Sequence, residues 1–414
     1  MHFSPSQWTP RQRLDHEANI VLTAMLQVAL LFMGRSKDQA ALQDLFQETR
    51  WQRALQQYHA LFVELFDDVI PLEHLHYHPR ADFYESVARS LADQGSTPEL
   101  LSLYMVSGSN AVLHQDPEAL QLSQRVNSKM HFARTAPQAG LPVPASLVVS
   151  CAEIEGAAVA DFFTQHARAE GLMVKVQGLA GSRSVAQLHS VPQAVEFVAG
   201  LDSSVEVLFQ ERLDLRKYTE MTVDLTISDN AIEITNVRKI LFADGLWVGN
   251  FISDSLELTP RQRARCLQVG RYVREQGYVR PEGLNCGIDF FVPNDPADDD
   301  LIVIEINARW TGGLFPAHLL ERLQLQSHNS VAFIDVVSEA RFDDYLDFIA
   351  AHVQGSKFRA LPMGFSPFVQ VIDGLERLYV WQVVTGDFAA FRAAKNQQLG
   401  ATELPTADLI EGSP

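Results

Sequence analysis

The sequence predicts an α/β fold built from α+β lobes, and three observations point to it. Apolar residues at helical three-to-four spacing alternate with short apolar runs of strand length. The 414 residues are 47% hydrophobic and 20% charged, enough apolar material for two or three buried cores. One strand-like run, "LIVIEINARWTGG" at 301–313, carries Glu305, Asn307 and Arg309 at every second position. A strand there has one apolar face, with Ile304, Ile306 and Ala308, and one polar face.

In chain order, residues 11–66 read as helical, most clearly in "LQDLFQETRWQRALQQYHALFVELF". A loop-rich part leads to "LLSLYMVSGSN", a buried strand running into a small polar turn, which is a usual ligand position in α/β folds. This closes a first domain at 1–122. A second, 123–210, passes from a helix through the breakers Gly140, Pro142 and Pro144 to a hairpin, "GLMVKVQ" and "VAQLH" around "GLAGSRS". A third, 211–340, is strand-rich, with "EMTVDLTI", "AIEITNVRKILF", "LNCGIDFFV" and "LIVIEINA" interrupted by one helix. The remainder, 341–414, holds two apolar runs around an Asp-Gly turn, a helix near "DFAAFRAAK", and a tail, "ELPTADLIEGSP", expected to be loose.

A formal net charge of −18 argues against nucleic-acid binding but not against a small anion held by a few placed cations. Lysine occurs only at Lys37, Lys129, Lys175, Lys217, Lys239, Lys357 and Lys395, so a lysine inside an apolar strand stands out. Cys151, Cys266 and Cys286 show no C-x-x-C spacing, which fits a reducing cytoplasm. The N-terminus lacks a signal-peptide pattern. The 14-residue run Ile20–Met33 is short for a membrane span and reads as a buried helix or a homodimer surface.

Three constellations carry chemistry. Asp289 and Glu305 are equidistant from Ala297, so an antiparallel hairpin would make them cross-strand neighbours, with Cβ atoms roughly 5 Å apart. Facing carboxylates repel unless one is protonated or a cation bridges them. Oxygen ligands suit Mg²⁺, and Asn307 can add another. Cys286 falls on the opposite face of that strand and reads as core. Lys175, inside "MVKV", precedes Gly178, Gly181, Ser182, Arg183 and Ser184, a loop whose backbone N–H groups suit phosphate, although no P-loop or dinucleotide fingerprint is present. The strand end at Gln210–Glu211 offers a peptide edge for an adenine, and Glu220, nine residues on, an acid for ribose hydroxyls. His74, His76 and His78 alternate, but with no matching cluster elsewhere a metal site is the weaker interpretation.

In order, Lys129 before "GLPVP", Lys175 before the glycine-rich flap, "FQER", Asp289 and the "EINAR" strand resemble the ATP-grasp superfamily, over about Lys129 to Gly313. The resemblance implies an ATP-grasp fold with an N-terminal pre-ATP-grasp domain and a C-terminal extension. It implies that Lys129 and Lys175 hold the α- and β-phosphates, and that Gly178 to Ser184 cover the γ-phosphate. Gln210, Glu211 and Arg212 would form the adenine hinge, and Glu220 would bind ribose. Asp289, Glu305 and Asn307 would hold one or two Mg²⁺ ions. Arg309 would face the transferred phosphoryl group or the substrate carboxylate. Arg238 is a weaker candidate for steadying an acyl phosphate, its alternative being a surface strand residue. The layout also resembles peptide ligases of the pheganomycin type. The activity implied is ATP-dependent ligation of a small carboxylate to an amine. A small-molecule kinase and a non-catalytic nucleotide-binding module are the alternatives, and neither nucleic acid nor a membrane is an expected partner.

Overall fold

The computed structural model describes residues 10–95, 111–113, 116–176, 185–243, 245–372 and 374–410. The chain begins α1 (Pro10–Met33), β1 (Ala40–Gln43), α2 (Thr49–Leu65), β2 (Leu75–His78), α3 (Phe83–Asp93), α4 (Pro117–Val126), α5 (Lys129–Thr135) and β3 (Ser146–Ser150). Next come α6 (Ala157–His166), β4 (Leu172–Val176), β5 (Val185–Leu188), α7 (Val191–Phe197), β6 (Glu206–Glu211), β7 (Tyr218–Ile227), β8 (Ile232–Ala243) and β9 (Leu246–Ile252). The chain then forms α8 (Pro260–Glu275), β10 (Leu284–Pro293), β11 (Ile302–Asn307), α9 (Leu314–Arg322), β12 (Ser330–Ser338) and α10 (Phe342–His352). It closes with β13 (Phe358–Phe365), β14 (Gln370–Ile372), β15 (Leu375–Gly386) and α11 (Phe388–Gln398).

These elements form two compact units, one of Met1–Asp15, Glu99–Lys239 and Glu257–Thr311, the other of His16–Pro98, Ile240–Leu256 and Gly312–Pro414. The first unit contains a four-stranded antiparallel sheet in the order β3-β6-β4-β5. One face packs Leu172, Val174, Val207 and Phe209 against Val159 and Phe163 of α6 and Ala194 of α7. The same unit holds the run β11-β10-β7-β8, with β8 as far as Lys239. Cys286, Ile288 and Phe290 alternate to one side of β10 and are buried. Beside the apolar side chains of β7 and β8 sits α8, whose Gly270 lies so close to Ile232 and Leu225 that a Cβ would meet Ile232 Cγ2 at 2.6 Å. Cys286 is thus a core residue, as its strand parity predicts.

In the second unit the strand order is β9-β12-β15-β13, with β14 paired to β15 through a turn at Gly374 (φ 75°). The four domains expected from the sequence are not four compact units here: the helical start and the C-terminal segment share a core. Trp51 and Tyr58 of α2 and Phe46 pack on Phe365 of β13, and Trp51 also meets Phe342 of α10. Residues 11–66 are not one helical stretch either. The chain breaks after Met33, pairs β1 with β2 in parallel and re-enters a helix at Thr49. The Ile20–Met33 run is buried within this unit through Ala24, Met25, Val28, Ala29, Leu31 and Phe32, so its apolar face is already covered. No helix among the described residues is long and apolar enough to cross a membrane. His74 and His78 are taken up by Asp38 O and Ser86 Oγ. No cluster of three or more His, Cys, Asp or Glu side chains is placed for a metal among the described residues.

The tail is not loose as far as Ile410. Leu404, Ala407 and Ile410 are buried, and Glu403 accepts from the backbone N–H (2.6 Å) and the hydroxyl of Ser338. Asp335 Oδ2 accepts from Ala407 N at 3.1 Å. Burial pushes the Asp335 carboxyl up to about 7, against the opposing pull of backbone donors and Lys395. A raised carboxyl favours the folded state while protonated, so its contribution is present below about pH 4 and is lost as pH rises to about 7. The stability difference between Asp335→Asn and wild type should therefore move in favour of the variant over that window, by up to ~4 kcal/mol, and then level off. Denaturant melts at pH 4, 5.5, 7 and 8 check this, and a pH-independent difference would refute it.

Candidate active site

The polar side of the β11-β10-β7-β8 run follows from strand parity. Asp289 pairs with Glu305 on one side and with Thr222 on the other, and Gly287 lies between Asn307 and Asp224. Thr222 in turn pairs with Arg238. Glu305 and Asn307, Asp289, Glu220, Thr222 and Asp224, and Arg238 therefore share one face. The register shift in β10 falls on the loop side of Asp289, so the equidistance of Asp289 and Glu305 from Ala297 survives it.

This face is crowded with charge. Lys129, in the first turn of α5, places Nζ 2.9 Å from Glu305 Oε2. Asn307 Nδ2 donates to Asp289 Oδ2 at 2.9 Å, and Thr222 also hydrogen-bonds the Asp289 carboxyl. Burial, and then the nearby Glu305, push Asp289 up to about 6. Burial and then Asp289 push Glu220 up to about 8. Burial acts the same way on Glu305, but Lys129 and Lys175 outweigh it and hold that carboxyl below its usual range. Glu220 feels Lys175 as well as both other acids, so it belongs electrostatically to this acidic floor.

Lys175 projects from the four-stranded sheet on the face opposite its helix-covered core. Its Nζ donates to Gln210 Oε1 at 3.0 Å, Gln210 Nε2 donates to Ser146 Oγ at 3.2 Å, and Ser146 donates to Pro144 O at 3.0 Å. The serine hydroxyl is spent on a carbonyl, so its oxygen must accept, which turns the Gln210 carbonyl toward the lysine. Burial and then Lys129 bring Lys175 down to about 8. At the end of β6, Glu211 N donates to Ala145 O (2.9 Å) and its carboxylate pairs with Arg168 at 3.2 Å. Arg212 lies just past the end of β6. Gly178, Gly181, Ser182, Arg183 and Ser184, and the "VSGSN" turn, lie outside the described residues.

Arg238 is not a surface strand residue. It and Asp224 are both 0% exposed and paired at 2.6 Å. Thr311 donates to both Asp224 oxygens (3.2 and 3.3 Å), accepts from Arg238 Nη2 at 3.4 Å and packs where a Cβ on Gly287 would sit. An acyl phosphate has no open path to this guanidinium as it stands, in contrast with half-buried Arg309. Arg309 Nη1 donates to Asn127 Oδ1 at 2.8 Å, and its charge acts on both Asp289 and Glu305. Thr222, Asp224 and Asn127 are absent from the sequence-based set. The first two carried a signal, since Glu220, Thr222 and Asp224 alternate in "TEMTVD" just as Glu305, Asn307 and Arg309 do in "EINAR".

The donor set fits Mg²⁺. Two facing carboxylates, Asp289 raised by burial and by its neighbour and Glu305 kept ionised by Lys129 and Lys175, and one amide oxygen form a hard-oxygen set. With so few protein ligands, positions remain for phosphate oxygens and water.

Comparison with solved structures agrees with the architecture. The biotin carboxylase domain dimer of Hydrogenobacter thermophilus 2-oxoglutarate carboxylase, in complex with MgADP, ADP and bicarbonate, superposes with a TM-score of 0.50 at 12% identity, over 89% of this chain and 87% of that one. N5-carboxyaminoimidazole synthetase from Staphylococcus aureus with ADP gives 0.49 at 11% identity over 91% and 95%. The N5-carboxyaminoimidazole ribonucleotide synthetase of Thermus thermophilus gives 0.48 at 13% over 92% and 98%. No protein-family model and no curated protein matches the sequence. The fold is the ATP-grasp fold.

Proposed function

We propose that the protein is an ATP-dependent carboxylate–amine ligase that works through an acyl phosphate. The observation that carries this is the shared face on which Asp289, Glu305 and Asn307 meet Glu220 and Lys129, with Arg309 beside them and Lys175 within electrostatic reach. A substrate carboxylate oxygen attacks the γ-phosphorus, the bond to the β–γ bridging oxygen breaks, and ADP leaves. The amine nitrogen then attacks the acyl carbon, and phosphate leaves as the C–N bond forms. The protein's part is alignment and charge neutralisation. Lys129 and Lys175 take the α- and β-phosphates, and Gly178, Gly181, Ser182, Arg183 and Ser184 cover the γ-phosphate. Gln210, Glu211 and Arg212 border the adenine, and Glu220 lies toward the ribose. Arg309 meets the transferred group or the acid, and Arg238 contributes its field from beneath Thr311. Asp289, Glu305 and Asn307 would hold Mg²⁺, one ion or two, which supplies charge neutralisation when bound.

The substrate class we infer is an amino acid or a small natural-product acid joined to an amine, as in pheganomycin-type peptide ligases, in the cytoplasm. Incubating the protein with ATP, Mg²⁺ and panels of acids, with and without amines, tests it. Phosphate and ADP release that needs both substrates, with an amide product by mass spectrometry, is expected. A stable phosphorylated product would indicate a kinase instead, nucleotide binding without turnover would indicate a binding module, and AMP with pyrophosphate would overturn the acyl-phosphate route.

A further inference from the structure

Asn127 caps the C-terminus of α4 and stands two residues before Lys129, with Ser128, the N-cap of α5, between them. Its side-chain amide is fully committed. Nδ2 donates to Ser123 O at 2.8 Å and to Ala308 O at 2.9 Å, and Oδ1 accepts from Arg309 Nη1 at 2.8 Å. Carbonyls only accept and a guanidinium only donates, so the partners themselves dictate which way this amide faces.

Ala308 and Arg309 lie past Asn307, the last residue of β11. The strand ladder no longer holds them there. Arg309 N turns back to Asn307 O at 2.8 Å, and Asn285 Nδ2 secures Arg309 O at 2.7 Å. These bonds fix the backbone and leave the long side chain its rotamer freedom. The Asn127 oxygen removes that freedom, and because it is neutral it does so without cancelling the charge, as a carboxylate would. The same short joint sets Lys129 on Glu305, so one turn between two helices reaches two residues four positions apart in the same chain segment.

We propose that Asn127 is a positioning residue that fixes the Arg309 guanidinium beside Asp289 and Glu305 for phosphoryl transfer. What Arg309 acts on rests on the ligase assignment; the hold itself does not. The test compares wild type, Asn127→Ala and Asn127→Asp in two measurements. The first is the rate of Arg309 modification by phenylglyoxal in the resting protein, followed by peptide mapping. The second is steady-state kinetics with thermal midpoints.

In Asn127→Ala, Arg309 should be modified several-fold faster, and kcat should fall by about 10- to 100-fold while KM for ATP stays within about twofold and the midpoint holds. Asn127→Asp should restore slow modification but not kcat, because its carboxylate neutralises the guanidinium. An unchanged modification rate in Asn127→Ala, wild-type kcat, or a loss of kcat, ATP affinity and midpoint together would overturn the proposal. Should wild type turn over no acid–amine pair, the ligase assignment fails, while the modification rates still decide whether Asn127 holds Arg309.

Discussion

Asp289→Asn and Glu305→Gln should each lower ATP-dependent phosphate release by about 10³-fold or more, the scale expected when charge stabilisation at a phosphoryl group is lost. The fold should survive both. Asp289 is pushed up to about 6 by burial and by Glu305, so its ionised form is strained against its neighbour. An asparagine there keeps an oxygen for Asn307 Nδ2 and removes the repulsion, so the thermal midpoint should hold or rise at neutral pH. Glu305 differs, since Lys129 rests on it at 2.9 Å. Its glutamine variant keeps a hydrogen-bond acceptor but loses an ion pair that is partly open to solvent, which costs about 1 kcal/mol or less. Turnover, midpoint and Mg²⁺ affinity measured on each variant separate the two effects. Wild-type turnover in both would remove the metal assignment.

The second large effect concerns stability. Asp224→Ala should cost about 3–5 kcal/mol, because it strands the Arg238 guanidinium in an environment with no water to receive it. The carboxylate also collects Asn285 Nδ2 at 3.0 Å and Thr311, and all of these lose an acceptor together. Among the described residues Arg238 Nε already lacks a hydrogen-bond partner, so little slack remains. Replacing both partners with apolar residues, Asp224→Leu with Arg238→Met, should recover most of the loss, since no charge is then left buried. Guanidinium-induced unfolding of wild type, Asp224→Ala and the double variant provides the comparison. A cost below about 1 kcal/mol for Asp224→Ala would show that the pair is not the buried, water-free contact described.

Much of the acidic face is legible in the sequence. Parity in "EINAR" and the equal spacing of Asp289 and Glu305 from Ala297 place two acids opposite each other, and the strands pair in that register. Strand periodicity survives whatever tertiary context surrounds it, because a shift by one residue would turn Ile288 and Ile306 out of the core. The pairings of β4 with β5 and of β14 with β15 are legible as well, each as two apolar runs on either side of a glycine-containing segment. Thr222 and Asp224 carry an equal signal in "TEMTVD", where they alternate with Glu220. The tail has the Pro, Gly and acidic composition of a loop, yet it packs as far as Ile410. Nothing in that composition shows that Glu403 and Asp335 would be buried as hydrogen-bond acceptors.

Alternation and spacing along the chain were thus enough to set which side chains share a face, and to bring Asp289 to Glu305. Contacts between distant segments needed the folded chain. Asn127 meets Arg309 across 182 positions, and Arg238 looks like a surface residue until Asp224 and Thr311 close over it. The helical start and the C-terminal segment, far apart in sequence, share one aromatic core. The division has one physical cause. Strand parity is a property of neighbouring residues, so it can be read from a few of them. Burial and the amide and guanidinium partnerships depend on which remote segments a side chain finally meets, and no local pattern encodes that.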